Sequence, residues 1–217
     1  MVNDWKFCFI ICTNHVIYEK ECIHYIKALR IPENYEIEIV CIKGAISMTS
    51  GYTEAMEKTD AKYKIYLHQD VFIVNQNILY DILKLFEDKT IGMIGVVGFL
   101  EFNRAGVMWE GERVGMLYTN TVVVAKGALF GEIEDDYCKV EAIDGLMMIT
   151  QFDLPWRKDL FDKWDFYDIS QSAEFRRKGY SIVVPQTTLP WCIHDDGFLN
   201  MEYYYGEREK YIKEYSH

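Results

Sequence analysis

The sequence predicts an α/β fold: a single domain with a predominantly parallel mixed sheet flanked by helices. Short apolar runs rich in β-branched and aromatic residues alternate, through the first half of the chain, with stretches whose apolar residues recur at helical spacing. Alternation of this kind implies parallel strands joined by crossover helices that cover both faces of the sheet. The chain has 217 residues, 50% hydrophobic and 26% charged, enough to bury one full core and close to a soluble globular average, so one domain spanning 1–217 is expected.

The elements follow in order. "KFCFIICT" (6–13) reads as a buried strand, and Cys22, Ile23, Ile26 and Leu29 mark a helix from Glu19 to Leu29 that Pro32 closes. "YEIEIVCI" (35–42) is the second strand; after a turn at Lys43 and Gly44, Ser47 is placed to cap a helix running to about Lys58. "KYKIYLHQDVFIV" (62–74) is the third strand, and Ile78, Leu79, Ile82, Leu83 and Phe86 line one face of the helix behind it. "IGMIGVVG" (91–98) and "TVVVAKG" (121–127) are further strands, separated by a segment, 99–120, too long for a plain connection and read as a functional flap or a hairpin. "KVEAIDGLMMIT" (139–150) is a strand interrupted by Asp144 and Gly145. Residues 159–185 give an aromatic loop, a helix ended by Gly179 and a short strand ended by Pro185. The tail "MEYYYGEREKYIKEY" reads as a helix docked on the body, with a homodimer contact as the lesser reading.

The balance of 23 basic and 34 acidic residues, net charge −11, excludes nucleic acid as a partner, because that binding rests on neutralising phosphates with Lys and Arg. An anionic ligand would need a local positive element or a bound cation. The six cysteines show no CxxC pair and several lie in strand-like runs, so they are expected to be buried free thiols in a reducing cytoplasm. No signal peptide or membrane span is read from the sequence; docking at the inner face of a membrane stays open.

His68, Gln69 and Asp70 interrupt an apolar run, and burying an unpaired carboxylate is costly. In open α/β sheets ligands bind beyond the carboxyl ends of strands, where this triplet falls. It either holds a ligand there or caps amides of a local turn.

Four features then fall in one order: a strand, helix and strand; "HQD" after the third strand; "FYDISQSAEFRRKGY"; and "CIHDDG" near the end. Together, over residues 6–196, they resemble the GT-A type nucleotide-sugar glycosyltransferases of the family 2 kind, and in particular a smaller bacterial branch with "YLHQDVFI" in place of the usual aspartate-rich motif. The resemblance implies a GT-A (Rossmann-like) domain with a nucleotide-binding half over about 1–98, an acceptor half over about 99–196 and a tail helix over 197–217. It implies transfer from a nucleotide-sugar donor to a carbohydrate or lipid-linked acceptor, with inversion, and a role in cell-surface polysaccharide synthesis.

By the same resemblance Asp70 matches the aspartate that binds Mg or Mn on the donor diphosphate, while His68 stands where a second aspartate is usual and touches ribose, approaches the metal or shapes the loop. Asp168 matches the catalytic base, with Tyr167 in place of the preceding acid; read from local sequence alone it is a helix N-cap, a role compatible with the first. His194 is the second candidate metal ligand. Asp144 falls on the strand facing sugar and acceptor, or is a buried turn residue. Thr13, Asn14 and Lys43 fall where this fold meets nucleotide base and ribose, with ordinary loop roles as the alternative; Trp156 and Arg157 in "DLPWRKD" are residue types able to stack on sugar and pair with phosphate, with a packed Trp and a surface Arg as the alternatives. Two rival functions remain. One is a non-catalytic sugar- or nucleotide-binding module of the same fold. The other is a metal-dependent phosphoesterase using His68, Asp70, His194 and Asp196.

Overall fold

The structure is a computed structural model and describes residues 1–107, 110–121, 124–195 and 201–215. Its main sheet has seven strands in the order β2-β1-β3-β11-β5-β12-β9. These are β1 (Asn3–Thr13), β2 (Glu36–Lys43), β3 (Ala61–His68), β5 (Ile91–Gly95), β9 (Tyr137–Val140), β11 (Met147–Thr150) and β12 (Ser181–Pro185). β1, β2 and β3 pair parallel, as do β5 and β12, while β11 and β9 run the other way. The predominantly parallel mixed sheet is therefore what forms.

The run "FCFIIC" explains the centre of this sheet. Phe7, Phe9 and Ile11 point into a core shared with α1 (Val16–Lys27) and α3 (Ile78–Leu85). Cys8, Ile10 and Cys12 point into the opposite one, shared with α2 (Met48–Lys58) and α4 (Tyr167–Arg177). A central parallel strand is buried on both faces and so carries no polar alternation. Ser47 caps α2 as expected, its hydroxyl accepting from the Ser50 N–H in a reciprocal capping box. α1 starts three residues before the expected position because the cap is His15, whose ring accepts from the Tyr18 N–H at 3.4 Å, an unusual capping residue.

A second sheet, in the order β10-β6-β7-β13-β4, joins β4 (Val71–Ile73), β6 (Val97–Phe99), β7 (Arg113–Thr121), β10 (Ala142–Ile143) and β13 (Cys192–His194); β8 (Val124–Gly131) pairs with β7. The 99–120 segment is thus a hairpin in its second half, β7 running antiparallel to β8. Its first half is held to α5 (Tyr204–Tyr215): the Tyr204 hydroxyl donates to Gly106 O at 3.1 Å, and Arg208 Nε to Ala105 O at 2.6 Å. Phe99, Phe102, Phe161, Phe166, Tyr204 and Tyr211 form a third apolar cluster, which docks this tail helix on the body. All six cysteines are free. Among the described residues no helix is long and apolar enough to cross a membrane.

Candidate functional site

Strand register brings the candidate residues to one edge. Thr13 lies beside Lys43, Cys12 beside His68, and Met147, at the start of the antiparallel β11, beside Leu67. The carboxyl ends of β1, β2 and β3 therefore meet the turn that carries Asp144 and Gly145. The central residue of the "HQD" triplet is a clamp. Gln69 Oε1 accepts from Thr13 Oγ1 and from the Asn14 and His15 N–H groups at 2.9–3.0 Å, and its Nε2 donates to Asn14 Oδ1 at 2.9 Å. Thr13 and Asn14 are thereby fixed at the mouth of the sheet. Lys43 is also at that edge, largely exposed, and pairs with Glu19 at 3.1 Å.

His194 reaches Asp70 because β13 runs antiparallel to β4, placing His194 beside Val71. Its Nε2 lies 3.6 Å from Asp70 Oδ1, and His68 Nδ1 lies 3.9 Å from the same oxygen, both beyond hydrogen-bond reach. One ligand atom from each of His68, Asp70 and His194 lies within 4.8 Å of the others. Asp70 Oδ1 is buried and has no hydrogen-bond partner among the described residues. Burial pushes the Asp70 carboxyl up, but the neighbouring imidazoles of His194 and His68 outweigh it and hold the group below its ordinary value. An ionised, buried oxygen facing two ring nitrogens, without a donor of its own, has the chemistry of a divalent-cation site. Beside it Asp195 donates its N–H to Asp70 O at 2.9 Å and accepts from the Tyr18 hydroxyl at 2.8 Å. Asp196 lies outside the described residues.

Asp168 stands in the first turn of α4, not at its cap. The cap position is Phe166, in the left-handed region at φ 59° and without a side-chain cap bond, which corrects the expectation of an aspartate N-cap. Asp168 is 2% exposed; Oδ2 accepts from the Gly145 N–H at 2.9 Å and Oδ1 from the Ile169 N–H at 2.8 Å. Burial, and then the charge of Asp144, push its pKa up to about 7 against the pull of those amides. Asp144 closes the adjoining turn, its Oδ1 accepting from the Leu146 N–H at 3.0 Å and its own N–H donating to Val97 O. Tyr167 links the two groups of carboxylates: its buried hydroxyl is hydrogen-bonded to His68 Nε2.

Two expected contacts are not brought here. Trp156 is 3% exposed, its ring 4.9 Å from those of Tyr52 and Tyr66, so it is core and offers no face for a sugar to stack on. Arg157 is turned to Asp159, Glu174, Glu214 and the Tyr215 hydroxyl, four partners within 3.3 Å that fasten α5 to α4. Its charge is already matched, which leaves none to spare for a phosphate. Gln69 stands in the triplet expected to hold a ligand or cap local amides, and it caps the amides of Asn14 and His15; its role as a clamp, and that of Tyr167 as partner of His68, is not carried by either residue type alone. Two grooves of about 1030 and 1010 Å³ lie elsewhere, beside α3 and beside α5, and neither is lined by His68, Asp70 or Asp168.

Solved structures with the same fold include a fragment of TarS from S. aureus, residues 1–349, in complex with UDP (TM-score 0.57, 10% identity, 93% of this chain and 63% of that one). The same fragment in complex with UDP-GlcNAc aligns with TM-score 0.57 and 10% identity over 90% of this chain and 60% of that one. The mannosyltransferase PcManGT from Pyrobaculum calidifontis, in complex with GDP-Man and Mn2+, aligns with TM-score 0.57 and 11% identity over 97% of this chain and 70% of that one. The chain thus spans less than two thirds of the TarS fragment, and at these identities the likeness is one of fold: GT-A. No curated protein matches the chain. Residues 8–215 match the family described as "Glycosyltransferase like family", nearly the whole length of the sequence, and the chain belongs to that family.

Proposed function

We propose that this protein moves a sugar from a nucleoside diphosphate donor to an acceptor hydroxyl in one in-line displacement with inversion at the sugar. The observation that carries the reading is the buried Asp70 Oδ1, which has no hydrogen-bond partner among the described residues and faces His68 and His194 at the carboxyl ends of the strands. His68, Asp70 and His194 would hold the cation; two imidazoles and one carboxylate suit Mn better than Mg, which prefers an all-oxygen shell. Bound there, a divalent cation supplies the positive charge that a protein of net charge −11 needs beside a diphosphate leaving group. That GDP-Man and Mn2+ occur together in the mannosyltransferase, and UDP and UDP-GlcNAc in TarS, supports this donor class.

The residues of the chain divide the remaining work. Thr13 and Asn14, clamped by Gln69, and the exposed Lys43 meet the base and ribose. Asp144 meets sugar hydroxyls. Asp168 takes the proton of the attacking hydroxyl; a carboxyl near pKa 7 is half ionised at neutral pH and matched to that task. The two amides that hold its oxygens aim it, and each oxygen keeps a further lone pair for the incoming O–H. The acceptor is a carbohydrate or a lipid-linked one met at the inner face of a membrane, and the product serves a cell-surface polysaccharide.

One observation favours a second reading. Asp168 is 2% exposed and both its oxygens are bonded to backbone amides, as in a binding module of this fold that has no base to use. Incubation with UDP- and GDP-sugars in Mn2+, following nucleoside diphosphate and free sugar by NMR, separates the two. Sugar released first as the inverted anomer supports the transferase. Donor binding without turnover supports the module, and phosphate release from a generic ester without sugar release points to a phosphoesterase.

A further inference from the structure

We infer that Tyr167 is a positioning residue for His68: its phenol fixes the imidazole so that Nδ1 faces Asp70, and Gly145 is a glycine to leave room for that phenol. The inference rests on the reading that His68, Asp70 and His194 hold a divalent cation. An imidazole binds a metal through the lone pair of one ring nitrogen, and in the neutral ring the other nitrogen carries the proton. His68 Nδ1 is the atom turned toward Asp70, 3.9 Å from Oδ1, while Nε2 is hydrogen-bonded to the Tyr167 hydroxyl. The phenol oxygen accepting the Nε2 proton leaves Nδ1 as the ligand atom. A partner on the second nitrogen that sets tautomer and ring orientation is the usual support of a metal-binding histidine.

The surroundings explain why the partner is a phenol. Tyr167 is 4% exposed and its ring lies 5.8 Å from that of Tyr52 and 6.5 Å from that of Trp156, in an aromatic pocket. A carboxylate in its place would add a second buried negative charge next to Asp168. A phenol accepts the same hydrogen bond with no charge. Gly145 completes the device. Its φ is outside the left-handed region, so the backbone does not demand glycine there; yet a Cβ at 145 would lie 2.1 Å from Tyr167 Oη and 2.5 Å from its Cζ. Any side chain at 145 would push the hydroxyl off His68. The same Gly145 N–H holds Asp168, so one turn aims both the metal ligand and the base.

The test is Mn2+ titration of the full chain, read from the EPR signal of free Mn2+, for the parent, Tyr167→Phe, His68→Ala and the double variant, with melting curves in chelator. Tyr167→Phe is expected to weaken Mn2+ binding about 10- to 100-fold, with the melting temperature in chelator close to that of the parent. The double variant is expected to bind no more weakly than His68→Ala, because a residue acting through His68 has nothing to add once it is gone. Parent-like Mn2+ affinity in Tyr167→Phe, or losses that multiply in the double variant, overturns the inference while leaving the metal site standing. A parent that takes up no Mn2+ removes the metal reading and the inference with it. If Tyr167→Phe does not fold, Gly145→Ala carries the test: it keeps the phenol but displaces it, and undiminished Mn2+ binding there overturns the inference equally.

Discussion

Replacing Asp168 by Asn separates its two roles, because the structure gives each an opposite sign. Burial and Asp144 raise its pKa from 3.8 to about 7, which corresponds to about 4 kcal/mol by which the folded protein disfavours the ionised form. A carboxyl whose folded pKa lies above its unfolded value binds its proton more tightly in the folded state. Stability contributed by this group is therefore full below about pH 4, falls as pH rises to about 7, and stays low above that. Asn carries no charge and escapes the penalty, but its NH2 group turns a donor toward one of the two amides of Gly145 and Ile169, costing about 1–3 kcal/mol. Asp168→Asn should then be less stable than the parent below about pH 4, where the parent carboxyl keeps its full contribution, and more stable at pH 8, by about 1–3 kcal/mol each way. Its transfer rate should fall about 10²- to 10⁴-fold, the usual worth of a general base, with donor affinity kept. Urea unfolding at both pH values and single-turnover transfer measure the two effects. Parent-like transfer would refute the base, and an equal loss of stability at both pH values would refute the buried, penalised carboxylate.

Three further perturbations test other parts of the site. Asp144→Asn removes a charge that raises the Asp168 pKa, so the acid limb of the kcat/KM profile should move to lower pH; an unmoved limb would show that Asp168 is not the titrating group. Gln69→Ala cuts the ties to Thr13, Asn14 and His15 and should cost about 1–3 kcal/mol while raising the KM for donor more than it lowers kcat; equal loss in both would place the clamp elsewhere in the cycle. Trp156→Ala should lower stability by about 3–5 kcal/mol with donor affinity unchanged, whereas lost sugar binding at parent stability would restore the stacking role.

The fold was legible where one residue pattern admits one arrangement. "FCFIIC" has no polar face and so reads as a strand covered on both sides, and Ser47 announces the start of α2. The interruption of the 139–150 strand at Asp144 and Gly145 was also visible, and it proves to be the turn that holds Asp168. The 99–120 segment was half read: the hairpin strand β7 pairs with β8 across residues of weak alternation, and the remainder is held by α5, a long-range contact that no local pattern encodes. At the site, Asp70 stands out by interrupting an apolar run and His194 by the place of "CIHDDG" in the family resemblance, but their meeting depends on the pairing of β13 with β4. Gln69 and Tyr167 were visible as positions, one in the triplet and one in place of an acid, but not as roles, because their importance lies in what they hold. Trp156 and Arg157 show the converse, residue types common in sugar and phosphate sites that here serve the core and the tail helix.

In the proposed function Asp70 is present for a cation and the cation for a diphosphate. This is tested most directly by melting the parent and Asp70→Ala with UDP and GDP, each in Mn2+ and in chelator. A nucleotide held through the metal at about 100 times its Kd adds about 2.7 kcal/mol, which for a chain of this size is a rise of about 5–10 °C. That rise is expected in the parent for at least one nucleotide with Mn2+, with little or none in chelator and no Mn2+-dependent increment in Asp70→Ala. Equal stabilisation of the parent with and without Mn2+, matched by Asp70→Ala, would contradict this role of Asp70.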